Sequence, residues 1–278
     1  MQILDLLCIA EKDLSTIRDL NLKSKITMSK IVFITGASSG FGKACAEKFA
    51  CHGYDVIING RREDRLLELK DHLEKKYNTA ILVSVFDVRN RNEVFEAVKN
   101  IPGEWQHIDI LINNAGLALG RDYFDEADID DWDTMIDTNV KGLIYSTKAL
   151  LPFLKKSPSP HIINLGSVAR DVYEKGNVYC ATKAAVDILS QSMRVDLLRH
   201  GIKVTAIHPG AAETEFSLVR FKGDETTAKN IYDGLTPLTA EDVADVIYYC
   251  TTLPPHVCIN DLVLTCTQQA NAIYFNRK

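Results

Sequence analysis

From residue 30 onward the chain alternates short apolar runs with longer segments of helical periodicity. The runs cover residues 31–35, 54–59, 80–85, 108–112, 161–165, 203–208 and 262–265. Between residues 63 and 77, Leu66, Leu69 and Leu73 recur with charged residues between them, the stripe of an amphipathic helix. Strands that are apolar almost throughout and separated by helices predict a parallel sheet covered on both faces. Right-handed crossovers then favour a doubly wound arrangement. The expectation is an α/β protein, a single domain with a seven-stranded parallel sheet and helices on both faces.

No internal repeat, low-complexity tract or linker divides this alternating region. Residues 1–27 fall outside the pattern and read as an N-terminal extension, and residues 28–278 as one domain with Met28 just ahead of the first strand. The long connection after the sixth run, about residues 211–238, is placed to act as a lid before a helix that Thr239 caps.

Composition narrows the picture. With 46% hydrophobic residues the chain has ample material for a globular core. A net charge of -5 gives no basic footprint for nucleic acid. No apolar run nears the roughly 20 residues that span a bilayer. The apolar stretch at residues 3–10 is interrupted by Asp5 and preceded by no basic segment, which argues against a secretory signal. Seven scattered cysteines form no CxxC pair and no zinc-spaced Cys/His cluster. The expectation is a soluble cytoplasmic protein with reduced thiols and no bound metal.

Two segments carry chemistry. Thr35-Gly36-Ala37-Ser38-Ser39-Gly40-Phe41-Gly42 follows the first run and opens a helix, a GxxxGxG variant of the dinucleotide fingerprint of a Rossmann fold. Gly36 permits the tight turn, Gly40 admits a pyrophosphate close to the backbone, and Gly42 lets helix and strand pack. The helix N-terminus then offers N–H groups and a positive dipole end to the anion. The second run ends in Asn59-Gly60-Arg61-Arg62, where NAD sites usually place an acid for the ribose 2′-hydroxyl. Arg61 and Arg62 suit a 2′-phosphate, and so NADP. The plainer reading is a pair of solvated arginines neutralised by Glu63 and Asp64. In the second segment, Tyr179 and Lys183 stand four apart in a helical stretch, 178–199, and so share a face. A cation beside a tyrosine favours the phenolate.

Asn113-Asn114-Ala115-Gly116 after the fourth run, Asn139, and Ser167 after the fifth complete an ordered series with the glycine turn and Tyr179/Lys183. Together these motifs resemble the short-chain dehydrogenase/reductase family over about residue 30 to the C-terminus. The resemblance implies that Tyr179 gives or takes the substrate proton. Lys183 would lower its pKa and hold the nicotinamide ribose, Ser167 would bond the reacting oxygen, and Asn139 would anchor a water that links Lys183 to solvent. Asp87 and Val88 would contact adenine, Asn114 would line the cofactor ribose, and Pro209, Gly210 and Thr214 would border the nicotinamide, with Thr214 on its carboxamide. Plainer roles stand beside several of these: Asp87 as a helix cap, Asn139 as a helix-surface residue, Pro209-Gly210 as a turn. The family also suggests a homotetramer.

A narrower resemblance rests on Gly60-Arg61-Arg62, residues 87–91, 113–120, Gly176-Asn177-Val178-Tyr179, and Thr214-Glu215-Phe216-Ser217 with residues 219–224. These are similar to the NADP-dependent 3-hydroxy acid dehydrogenases, including serine and allo-threonine 3-dehydrogenases. The segment 169–175 is more charged and shorter than that group usually shows. A 3-hydroxy acid therefore competes with neutral ketones, diketones or aldehydes as the small-molecule substrate, and with a catalytically silent NADP-binding sensor or scaffold. Arg220, among Leu218, Val219 and Phe221 in the lid, is the candidate partner of a substrate carboxylate, with Arg121 and Lys175 as rivals.

Overall fold

In the computed structural model, which describes residues 29–278, each of the seven runs becomes a strand. They are β1 (Ile31–Ile34), β2 (Asp55–Gly60), β3 (Ile81–Val85), β4 (Ile110–Asn113), β5 (His161–Leu165), β6 (Lys203–Pro209) and β7 (Asp261–Leu264). Every neighbouring pair is parallel, in the order β3-β2-β1-β4-β5-β6-β7. The chain runs outward from β1 to β3, then restarts at β4 on the other side. The carboxyl ends of β1 and β4 therefore flank a topological switch point, where such sheets bind ligands.

The helices are α1 (Gly40–Cys51), α2 (Glu63–Tyr77), α3 (Arg91–Lys99), α4 (Ile129–Ile136), α5 (Leu143–Leu154), α6 (Asn177–Leu197), α7 (Glu215–Arg220), α8 (Glu225–Asn230) and α9 (Ala240–Thr252). Successive strand residues point to opposite faces, and two cores divide along that alternation. Val32, Ile34, Val56 and Ile58 pack against Phe49 of α1, Leu66, Leu69 and Leu73 of α2, and Val243 and Ile247 of α9. Ile31, Phe33, Ile57 and Leu111 face Val94 and Val98 of α3 and Leu150 and Leu154 of α5. Each such large side chain, fully withdrawn from water, contributes about 1.5–3 kcal/mol. Helices on both faces are what the apolar runs predicted.

Boundaries moved where a side chain intervenes. The fourth strand starts at Ile110 rather than 108, because the buried Asp109 carboxylate accepts from the Ile31 amide at 2.9 Å ahead of the ladder. Asn90, not Asp87, caps α3, its side chain accepting from the amides of Asn92 and Glu93. Thr239 caps α9 as expected, in a reciprocal capping box with Asp242. Asn139 lies in a π-helical turn, Asp137–Gly142, that joins α4 to α5 without a break. Such turns concentrate at functional sites.

The predicted lid is closed at its base. Ala212 pairs with Leu238, and the Leu238 amide donates to the Ala211 carbonyl at 2.9 Å. The loop between them carries α7 and α8. Cys45, Cys180, Cys250, Cys258 and Cys266 are free thiols. The expectation for residues 1–27 lies outside the described residues. Among the described residues, no helix is long and apolar enough to cross a membrane.

Candidate active site

The glycine turn is built by close approach. Gly36 has φ +67°, and a Cβ there would sit 2.9 Å from Ala115 Cα. A Cβ on Gly42 would fall 2.3 Å from the Gly36 carbonyl oxygen and 2.5 Å from the Asn114 amide nitrogen. Asn114 Nδ2 donates to the Thr35 and Gly36 carbonyls at 2.9 and 3.0 Å, so β4 holds the turn that leaves β1. Ser39 enters α1 without a side-chain cap, which leaves the first helical N–H groups directed into the cleft. These observations fit a dinucleotide pyrophosphate.

Arg62 lies across that turn. Its Nε and Nη2 donate to Ser38 Oγ at 3.2 and 2.9 Å, and Nη2 also reaches Ser39 Oγ at 2.9 Å. Glu63 and Asp64 do not neutralise it; its acidic partner is Glu215, from the lid, at 3.1 Å. Arg61 stands 3.8 Å from Asp87, which is held mainly by Arg89 at 2.6 Å.

At the other end, Tyr179 is 7% exposed, and its ring packs 5.9 Å from that of Phe216. Burial pushes its phenol well above the usual range, reinforced by Tyr173 and opposed by the Ser167 hydroxyl and the Arg220 guanidinium. Lys183 shares the α6 face with Tyr179, but its Nζ donates to the Leu165 carbonyl at 2.9 Å and stands 6.0 Å from the Tyr179 ring centroid. A buried ammonium needs such a partner, and burial lowers its pKa to about 8. Arg220 brings a second cation to the same ring, its guanidinium carbon 5.5 Å from the centroid, where it lowers the phenol's pKa. Ser167 opens a short 3₁₀ turn by accepting from the Ala169 amide at 3.0 Å.

Asn139 is buried beneath this group. Its amide exchanges hydrogen bonds of 2.8 Å with both the N–H and the carbonyl of Leu117, and donates to Thr182 Oγ1 at 3.0 Å. The side chain is thereby spent on joining the β4 loop to α6. Asp187, His208 and Asp261 converge outside the cleft, where the Arg170 guanidinium sits 3.3 and 2.7 Å from the two carboxylates and supplies their positive charge.

One cleft of about 660 Å³ joins the two ends. Gly36, Ser38, Ser39, Gly40, Phe41, Arg61, Arg62, Val88, Asn114, Ser167, Tyr179, Lys183, Pro209, Gly210, Thr214 and Arg220 all line it. Gly42, Asp87 and Asn139 are not among its lining residues. Of the rival cations, Arg121 lines the cleft; Lys175 does not, and instead lies over the Tyr123 ring at 4.1 Å. The sequence did not single out Tyr173, which accepts from Arg220 Nη2 at 3.0 Å, nor Gln269, which accepts from the Ala211 amide at 2.7 Å. Tyr173 sits in the charged 169–175 segment, the one local signal available. Gln269 reaches the cleft from far along the chain.

A nucleotide-cradling helix start, and a half-buried serine beside a buried tyrosine–lysine pair facing it across one cleft, define a dinucleotide-dependent oxidoreductase. The chain belongs to the short chain dehydrogenase family, whose model matches residues 30–224. It is similar to the NADP-dependent 3-hydroxy acid dehydrogenase YdfG of Escherichia coli strain K12, 46% identical over 244 residues that are 87% of this chain and 97% of that protein. Sulfoacetaldehyde reductase 2 of Chromohalobacter salexigens is 45% identical over 245 residues, 87% and 96% of the two chains. Among solved structures, the closed form of serine dehydrogenase complexed with NADP+ superposes with a TM-score of 0.83 at 45% identity, covering 89% of this chain and 100% of that one.

Proposed function

We propose that this chain transfers a hydride between NADP(H) and the 3-hydroxyl, or matching 3-oxo group, of a small 3-hydroxy acid such as serine or allo-threonine. The bound nicotinamide supplies the hydride acceptor or donor. Tyr179 takes the hydroxyl proton in oxidation and returns it in reduction, Ser167 bonds the same oxygen, and Lys183 holds the ribose. Asn139 acts through placement: with its amide committed, the water linking Lys183 to solvent falls to the main chain of the π-helical turn. Arg61, Arg62 and Ser38 hold the 2′-phosphate, the glycine turn and Ser39 the pyrophosphate, and Thr214 the carboxamide. Asp87 serves by holding Arg61 near Val88, which contacts adenine.

The observation that carries the substrate class is Arg220. Its Nε donates to the Gly120 carbonyl and its Nη2 to the Tyr173 hydroxyl, so the guanidinium is fixed beside Tyr179. Among the described residues these bonds leave Nη1 for a substrate anion. Arg220→Leu should lower kcat/KM on L-serine by about 10-fold or more, the lower end for a charged hydrogen bond, and spare its methyl ester. Formation of NADPH measures both. Equal losses on acid and ester would reduce Arg220 to a lid contact and favour neutral carbonyls as substrates. The sulfonate substrate in the reductase relative's name favours a second anionic reading, an acid-bearing aldehyde, which the same arginine would grip.

We further propose a cytoplasmic homotetramer, supported by exposed Ile188, Val195 and Leu198 along and just beyond α6. Light scattering should give a mass well above 31.0 kDa that reductant does not change. A monomer at micromolar concentration would count against it.

A further inference from the structure

The arginine assigned to the 2′-phosphate already holds an acid brought from 153 residues away. Glu215, in the first turn of α7, accepts from Arg62 Nη1 at 3.1 Å and from Arg65 Nη1 at 2.7 and 3.0 Å. Burial pushes its carboxyl up, but the bonds from Arg65 and Arg62 outweigh that and hold it below its ordinary range. It is therefore charged at neutral pH. The remaining bonds of Arg62 run to Ser38 and Ser39, which fix its guanidinium over the glycine turn. A phosphate arriving at Ser38 and Arg62 meets a carboxylate already on Nη1, and two anions on one guanidinium repel.

We infer that Glu215 competes with the cofactor's 2′-phosphate for Arg62 and so sets how strongly the chain prefers NADP(H) over NAD(H). This rests on the assignment of Arg61 and Arg62 to that phosphate. Arg65 makes the acid tolerable: when the phosphate takes Arg62, the carboxylate keeps Arg65 and the lid stays tied at that point by one guanidinium instead of two. The same short helix ends in Arg220. One rigid piece thus meets the phosphate arginine at one end and the substrate cation at the other, so the lid and the 2′-phosphate are thermodynamically linked, and linkage is reciprocal.

The test measures NADPH and NADH dissociation constants, by quenching of protein fluorescence, for the full chain, Glu215→Gln and Arg65→Gln. Glu215→Gln should tighten NADPH by about threefold, the scale of a half-exposed ion pair, leave NADH unchanged, and lose the gain as salt rises. Arg65→Gln should weaken NADPH by a similar factor, because Glu215 then leans on Arg62 alone. A Glu215→Gln variant that binds NADPH no better, or gains equally for NADH, overturns the inference while leaving the 2′-phosphate site standing. A wild-type chain with no preference for NADPH overturns the site assignment, and the inference with it.

Discussion

Tyr179→Phe should lower turnover by at least about 10²-fold, the usual contribution of a positioned acid or base, while NADPH binding stays close to wild type. The substitution keeps the ring that packs against Phe216 and removes only the group that moves the proton. Burial raises the phenol's pKa, and the Ser167 hydroxyl and Arg220 guanidinium pull it back. The sign of the pH dependence follows. Oxidation requires the deprotonated phenol, a minority form below its raised pKa, so wild-type oxidation should quicken as pH rises, and the residual activity of the variant should not. Initial rates of NADPH formation at saturating L-serine, across pH, test both parts. Activity near wild type would remove Tyr179 from the reaction.

Replacing Arg61 and Arg62 together with neutral residues should weaken NADPH binding by about 10- to 100-fold and leave NADH nearly unaffected. Two charged hydrogen bonds, even at the low end of their range, would exceed the upper figure. Side-chain exposures of 59% and 41% call for a discount toward the lower one. Singly, Arg62 should matter more, because Ser38 and Ser39 hold it in place, whereas Arg61 makes a looser 3.8 Å contact with Asp87. Titration of each variant with both cofactors measures the split. A wild-type chain that binds NADH as tightly as NADPH would contradict the assignment.

The fold was legible because the central strands β1 and β4 are apolar almost throughout, so neither face had to be guessed there and the glycine turn could be set at the end of the first. The cofactor wall was legible for the same reason: its residues follow the strand ends. What sequence could not show is how long-range partners share out the charges. The i, i+4 spacing put Lys183 on the face of Tyr179, as observed, yet gave no sign that the Leu165 carbonyl takes its ammonium. Arg62 is followed at once by Glu63 and Asp64, yet its acid is Glu215 in the lid. Asn139 lies in a π turn, whose extra residue leaves no mark in apolar periodicity.

The Ala212–Leu238 pairing at the base of the lid bears on how this site can diversify. A loop tied at its neck has already met the entropic cost of bringing its ends together. That cost grows only with the logarithm of length, about 0.6 kcal/mol per doubling. Residues between the ties can therefore be inserted, deleted or exchanged with little penalty to the sheet beneath. Substrate choice, which Arg220 and its neighbours carry, is written in the part of the molecule that drifts most cheaply, while the hydride-transfer machinery sits on strand ends and α6, where a one-residue shift would move everything at once.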